Sequence, residues 1–429
     1  MIGSINRVLE RDGLSEGSFL KKEDSVVSAL AVLTLVVILF CSGSAAGLCY
    51  SSLKFPMLAV TALVWIVVLV ARRNTVHFGC NGDAAFLLLM LAVVIGTLYN
   101  NELRHYSFAI LILVLFDSFL VYKVLGAERV LSGFVRVMVF LGAVSVVAFL
   151  LFVVTDHYPP LPSMATENGK TVYLNGFIFC IDTILNEGRS IGIFWEPSIM
   201  AGYTNLALLL ILVFGIKGSR IEVGILFAAL ICTLSSGGLI GAAFVLAAYM
   251  YKKNGNIIFS LVVVIAIILF SIFTNEIEQY LLGINYDFFF KFFGGSESGT
   301  TQTRLDSPLV NMKIWALSPL FGSGLDGASA LYSTMRFDST VNNMAQTSTV
   351  TIYVAAFGVL GLSYTVAWVA AIFRHTNLSL LTRAFSFAAF MLLLNQVPCT
   401  QFMSMYLLLF ALSDYKNKET KQRRSIGTI

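Results

Sequence analysis

Between Ser25 and Val154 the chain passes through five apolar runs: Ser25–Gly43, Phe55–Val70, Ala84–Tyr99, Tyr106–Leu125 and Phe134–Val154. Each is close to the roughly 20 mostly apolar residues that a bilayer-spanning helix needs. Charged residues make up 12% of the chain, against about 25% in soluble domains. That excludes a soluble globular enzyme and a disordered chain. The runs are continuous rather than alternating, so a membrane β-barrel is excluded as well. What remains is an all-α polytopic membrane protein.

Three further spans read as Ile199–Gly215, Ile257–Thr274 and Val350–Phe373. Two regions read as hairpins of short arms, Ile221–Leu234 with Leu239–Tyr251 and Leu378–Asn395 with Thr400–Leu412. The expectation is therefore about twelve membrane helices in a single integral membrane domain covering 1–429. Two long loops interrupt it, 155–198 and 275–349. Tails 1–24 and 413–429 flank it. The hairpin tips, Ser235–Gly238 and Gln396–Cys399, either cross or turn back inside the membrane. Polar backbone at that depth is tolerated only inside protein or beside a wet cavity.

Lys and Arg set the orientation. With both termini on one side, 20 of the 28 cations fall on that side and 8 on the other. Six of those eight lie in the two long loops, where the rule has least force. The termini are thus expected in the cytoplasm and the long loops outside. The first 24 residues lack a signal-peptide core and cleavage site, so the first apolar helix is expected to stay as an anchor. The six Cys residues form no CxxC and no paired-His spacing appears, so neither a disulfide framework nor a metal site is indicated. The net charge of +4 points to no nucleic-acid partner.

Function is expected in the long loops. The first ends in Arg189-Ser-Ile-Gly-Ile-Phe-Trp195-Glu196-Pro197-Ser198. Before it, Thr171–Gly188 interleaves apolar residues with Asp182, Asn186 and Glu187 and reads as a surface amphipathic helix. Pro197 suits the first turn of the helix that follows. Arg189 there can fork onto a phosphate, and Glu196, partly desolvated, can serve as a base. The plainer alternatives are snorkelling for Arg189 and a helix-dipole role for Glu196. The second loop carries Arg304-Leu-Asp-Ser, a helical stretch to Trp315 that includes Lys313, and Pro319-Leu-Phe-Gly322-Ser-Gly324. Exposed N–H groups at that glycine turn could hold an anion. Arg336 is a further outer cation, more ordinarily a solvated loop residue. Asp117 stands alone in the fourth span, where a bond to a neighbouring helix is the plainer reading of an intramembrane acid.

Four features resemble the bacterial O-antigen polymerase (Wzy type) and O-antigen ligase superfamily. They are Arg189 with the GIFWEPS run, the Thr233-Leu-Ser-Ser-Gly-Gly238 hairpin tip, Arg304 with Trp315 through Gly324, and Thr347-Ser-Thr349 leading to Phe357-Gly358-Val-Leu-Gly361. They span Arg189 to Gly361, under half of the chain. The resemblance implies a GT-C-like glycosyltransferase of the bacterial inner membrane. Its substrate would be an oligosaccharide on undecaprenyl diphosphate at the periplasmic face, within membrane lipid, with no metal and no cofactor. A chain-length regulator is a partner the resemblance leaves open. By position, Arg189 and Arg304 match the family's paired cations for the departing diphosphate, and Glu196 is the candidate base. Trp195, Lys313, Arg336, Gly322 and Gly324 complete the expected substrate-binding set. Ligases carry a His before the last GxxG helix. The matching stretch here, Asn342-Asn-Met-Ala-Gln346-Thr-Ser-Thr349, has none. Polymerase is therefore the leading reading, with a ligase or a flippase for lipid-linked sugars as alternatives.

Overall fold

A computed structural model describes residues 30, 33–71, 79–155, 163–165, 171–175, 179–182, 190–265, 299–335, 346–396 and 399–415. The chain is a helical membrane protein. Helix α1 covers 33–40 and a short α2 covers Ala45–Cys49. Long helices follow: α3 Lys54–Ala71, α4 Asn81–Tyr99, α5 Tyr106–Leu125 and α6 Ala127–Thr155. Next come α7 Pro197–Leu212, α8 Arg220–Cys232, α9 Ser236–Asn254 and α10 at 257–265. The last part holds α11 Gly299–Leu317, α12 Leu325–Met335, α13 Thr349–Phe357, α14 Leu362–Phe373, α15 Leu380–Gln396 and α16 Met403–Asp414.

Among the described residues, five helices are long and apolar enough to cross a membrane: Ser51–Val70, Asn81–Tyr99, Tyr106–Leu125, Ala127–Leu151 and Thr349–Phe373. Their outer faces are apolar where a soluble protein would be polar. On α3, Leu63, Val67 and Val70 point outward at helical spacing while Thr61 and Trp65 are buried. Such stripes suit contact with lipid tails. Most of the buried apolar residues form one cluster, to which α1, α3 to α9 and α11 to α16 contribute.

Several elements differ from the expectation, each for a local reason. Helix α6 starts seven residues before Phe134, because Gly126, at φ +80°, makes the turn and lets a new helix begin at Ala127. The expected single helix over Val350–Phe373 is broken at Gly358, at φ +62°, into α13, a 3-10 turn over Gly358–Gly361, and α14. The described residues of the expected surface helix over Thr171–Gly188 belong instead to a three-stranded antiparallel sheet. Its strands are Ser163–Ala165, Thr171–Asn175 and Phe179–Asp182, with Met164 opposite Val172 and Val172 opposite Asp182. Thr171, Val172 and Tyr173 in one strand and Phe179 and Ile181 in the next are β-branched or aromatic residues that favour strand over the weak helical periodicity.

One end of the bundle is tied by charge. Lys123 Nζ lies 2.5 Å from Asp83 Oδ1, joining α5 to the start of α4. Asp83 Oδ2 accepts the N–H groups of Gly79 at 2.6 Å and Cys80 at 3.0 Å, which caps α4. Asp414, at the end of α16, accepts from the N–H of Asn81 at 2.9 Å and lies 3.8 Å from Arg374.

His375 follows α14 at this end. It is only 5% exposed and packs against Phe214. Burial first, then the positive charge of Arg374, hold its pKa down to about 4 from 6.5. Between those two values the unfolded chain binds a proton that the folded chain refuses, so stability rises with pH across that window. The contribution of neutral His375 is complete above pH 6.5 and lost as pH falls toward 4. Its size is on the order of 3 kcal/mol. The thermal midpoint in detergent should therefore fall between pH 7 and pH 4.5, and more steeply for the native chain than for His375→Asn. Parallel curves would remove His375 as the cause.

Candidate functional site at a layer of interrupted helices

Several of the shorter helices do not reach from face to face. At 1.5 Å per residue, α16 is about 18 Å long and α8 about 20 Å, against about 30 Å of hydrocarbon. The consequence is a layer of irregular backbone inside the bundle. The Met403 N–H donates to Cys41 O at 3.3 Å, and the Met403 carbonyl accepts from Ser118 Oγ at 3.0 Å. Ser118 is seven residues from the end of α5, so this tip ends at mid-helix. Cys399 and Met403 are buried, as tolerated non-helical backbone at that depth must be.

The segment Ser190–Ser198 is laced into this layer. Ser190 N–H donates to Cys232 O at 3.1 Å, the last residue of α8. Ala45 N–H donates to Ile193 O at 2.9 Å, and Trp195 N–H donates to Gly43 O at 3.2 Å, so the segment pairs with the turn after α1. Gly192, at φ +58°, supplies the bend between these two attachments. Phe194 is fully buried against Tyr203. The Tyr203 hydroxyl donates to Ser42 O at 3.2 Å and lies 2.5 Å from Ser404 Oγ. On the other side, Asn205 Nδ2 donates to Gly238 O at 2.7 Å, tying α7 to the tip of the α8–α9 hairpin.

Glu196 is the N-cap residue of α7, with Pro197 at the first helical position as the sequence suggests. Its side chain does not cap the backbone. Ser198 Oγ donates to Glu196 Oε2 at 2.8 Å instead, and the carboxylate is half-buried. Trp195 is half-buried beside it. Arg189 and Arg336 lie outside the described residues. Arg304 belongs to α11, one turn before Ser307, and its side chain also lies outside the described part. Lys313 is exposed on α11.

The glycine turn takes an unexpected form. Ser323 N–H donates to Ala355 O and Gly324 N–H to Ala356 O, both at 2.9 Å, while Val359 N–H donates to Pro319 O at 2.8 Å. The turn is thus interlocked with the break between α13 and α14. Gly322 N–H is spent on Ser318 O at 2.9 Å. The N-terminus of α12 does hold an anion, but it is the protein's own. Glu102 accepts from Leu325 N–H at 2.7 Å and Gly327 N–H at 2.9 Å. These N–H groups are therefore occupied: Gly322 packs against the backbone of Ala356 and Gly358, and Gly324 against the Glu102 carboxylate, rather than presenting a free anion nest. Asp326 is held in turn by His105 Nδ1 at 2.5 Å and by Ser107 Oγ at 2.7 Å.

The loop and the α13 entry are joined by side chains as well. Thr347 N–H donates to Ser307 Oγ at 3.0 Å, and Asn311 Nδ2 donates to Thr351 Oγ1 at 2.9 Å. Cys399 N–H donates to Thr349 Oγ1 at 2.7 Å, linking this block to the second hairpin tip. Phe402 at that tip packs over Gly43, next to Ile199 of α7. The four sequence features therefore fall into two tight pairs, bridged by residues 399–404.

No protein-family model matches this chain, and no curated protein does. Asp117, buried in α5, accepts from Thr61 Oγ1 on α3, a tie between neighbouring helices. No group of three or more His, Cys, Asp or Glu among the described residues is placed to hold a metal. Sequence reasoning missed Glu102 and the Ser42–Tyr203–Ser404 cluster. Glu102 sits in a short turn between two spans and is recognisable as a cap only once α12 is brought to it. The cluster joins residues more than 150 positions apart.

Proposed function

We propose that the chain is a membrane glycosyltransferase that polymerises oligosaccharide repeat units carried on undecaprenyl diphosphate at the periplasmic face. The observation that carries this reading is the gathering of the four family-like features. Ser190–Ser198 is bonded to the end of α8, Pro319–Gly324 is bonded to the α13–α14 break, and Cys399–Ser404 is bonded to Thr349 of the second pair and packs on Gly43, which holds Trp195 of the first. Broken helices meeting inside a bundle are where membrane proteins commonly build ligand sites.

In this reading Arg189 follows the long loop into the anchored segment, and Arg304 lies on α11 beside the α13 entry. The two cations meet the negative charge that grows on the departing diphosphate. The acceptor hydroxyl attacks the anomeric carbon of the donor sugar. A new glycosidic C–O bond forms, the C–O bond to the diphosphate breaks, and Glu196 takes the hydroxyl proton. Trp195 offers the aromatic face against which a sugar stacks, and Lys313 and Arg336 add positive potential on the loop side. The diphosphate is already a good leaving group, so no metal or cofactor is invoked.

The test uses the purified chain in detergent with a synthetic undecaprenyl-diphosphate repeat unit, its products resolved on a gel. A ladder is expected. Arg189→Ala and Arg304→Ala should each lower its rate by about a hundredfold to a thousandfold, the cost of losing one preorganised charge-stabilising donor. No ladder from folded protein and the cognate unit would end the polymerase reading. A ladder unchanged in both variants would keep the enzyme and discard this pair of cations.

A further inference from the structure

A cavity of about 740 Å³ opens between α1, the end of α5, the first third of α6, and α16. Its wall is mostly apolar and includes Phe194 and Tyr203. Its size is that of a single-ligand pocket. Two cations line it, Arg129 and Arg136, both exposed on α6. They are seven residues apart, hence on one face and about 10 Å apart along the axis. Among the described residues no carboxylate forms an ion pair with either.

Gly133 lies between them on the same face and also lines the cavity. A Cβ added there would meet nothing within 4 Å. Glycine is a poor residue for mid-helix, and no close contact requires it here. Its effect is to leave open space on the cavity wall between the two arginine positions. Arg136 is also inside the stretch Ala127–Leu151, which is apolar enough to span. A charge in such a stretch, facing a cavity, marks a binding site by default.

We infer that this cavity binds an anionic phospholipid of the surrounding bilayer, its phosphate held between Arg129 and Arg136 and one acyl chain laid over Gly133 toward Phe194. An apolar pocket with paired cations on one flank suits an amphiphile with a negative head. A small soluble anion would leave the apolar wall unfilled. The inference rests on Arg129, Gly133 and Arg136 and holds whether or not the chain is a polymerase.

The purified full chain would be mixed in detergent with phosphatidylglycerol or phosphatidylcholine of identical acyl chains. Retained lipid would be counted by native mass spectrometry. The native chain should prefer phosphatidylglycerol by about thirtyfold, from roughly fivefold per guanidinium. R129Q/R136Q should lose that preference. Gly133→Leu should lose retention with both arginines present, because the acyl channel is filled. Inorganic phosphate at equal concentration should not displace the lipid. Equal retention of the two lipids overturns the inference, as does an unchanged preference in R129Q/R136Q. Displacement by inorganic phosphate would overturn it in favour of a small-anion site. If Gly133→Leu does not fold, R129Q/R136Q decides, since both of its side chains are exposed and neither supports packing.

Discussion

Gly322→Ala is expected to destabilise the protein by upward of about 4 kcal/mol, an exceptional cost for removing no contact. Two effects combine. Gly322 has φ +70°, where an alanine costs about 1–2 kcal/mol. Its added Cβ would also stand 2.3 Å from the carbonyl of Ala356 and 2.5 Å from the nitrogen of Gly358. Those are backbone atoms, so no rotamer change relieves the overlap. The interlock with the α13–α14 break must open, taking with it the bonds of Ser323 and Gly324 to Ala355 and Ala356. Thermal unfolding in detergent would show it. Gly224→Ala on α8 is the control, since nothing lies within 4 Å of its Cβ position. That variant should gain up to about 1 kcal/mol from helix propensity. A Gly322→Ala midpoint equal to the native one would refute the interlock as a stabilising feature.

Lys123→Met is expected to cost about 3–5 kcal/mol, the penalty for stranding a buried partner charge. The Lys123 side chain is 3% exposed and that of Asp83 10%. Without the ammonium, Asp83 Oδ1 faces a dry interior with no other hydrogen bond. Asp83→Asn in the same chain should recover most of the loss. The amide oxygen can still accept from Gly79 and Cys80, and no charge is left to bury. Measured as a double-mutant cycle, the pair should show strong coupling. Additive losses would mean that the two side chains do not act as a pair.

The sequence legibly determined that this is a helical membrane protein. Leu63, Val67 and Val70 are apolar because no water competes for them, and length with composition reads that directly. Local chemistry was legible in the same way. Pro197 begins α7 because its missing N–H is not needed in the first turn. The strands Thr171–Asn175 and Phe179–Asp182 were not legible in this way, because the interleaved polar residues of that segment also fit a helical period.

What the tertiary structure alone decided was which irregular segments meet. Whether residues 399–404 cross the membrane or stop inside it depends on Ser118 and Cys41, which are distant in sequence and accept or donate only after the helices pack. The glycine turn at 322–324 reads as open in the sequence. Beyond the local bond of Gly322 to Ser318, the N–H groups of Ser323 and Gly324 are filled by Ala355 and Ala356, more than 30 residues away, and those of Leu325 and Gly327 just after the turn by Glu102, more than 200 away. The cavity over Gly133 is likewise a product of four helices. Hydrophobic length is a property of a segment and can be read one segment at a time. Hydrogen-bond satisfaction inside a membrane is a property of the whole bundle, because with no water available each buried N–H must find its acceptor elsewhere in the chain.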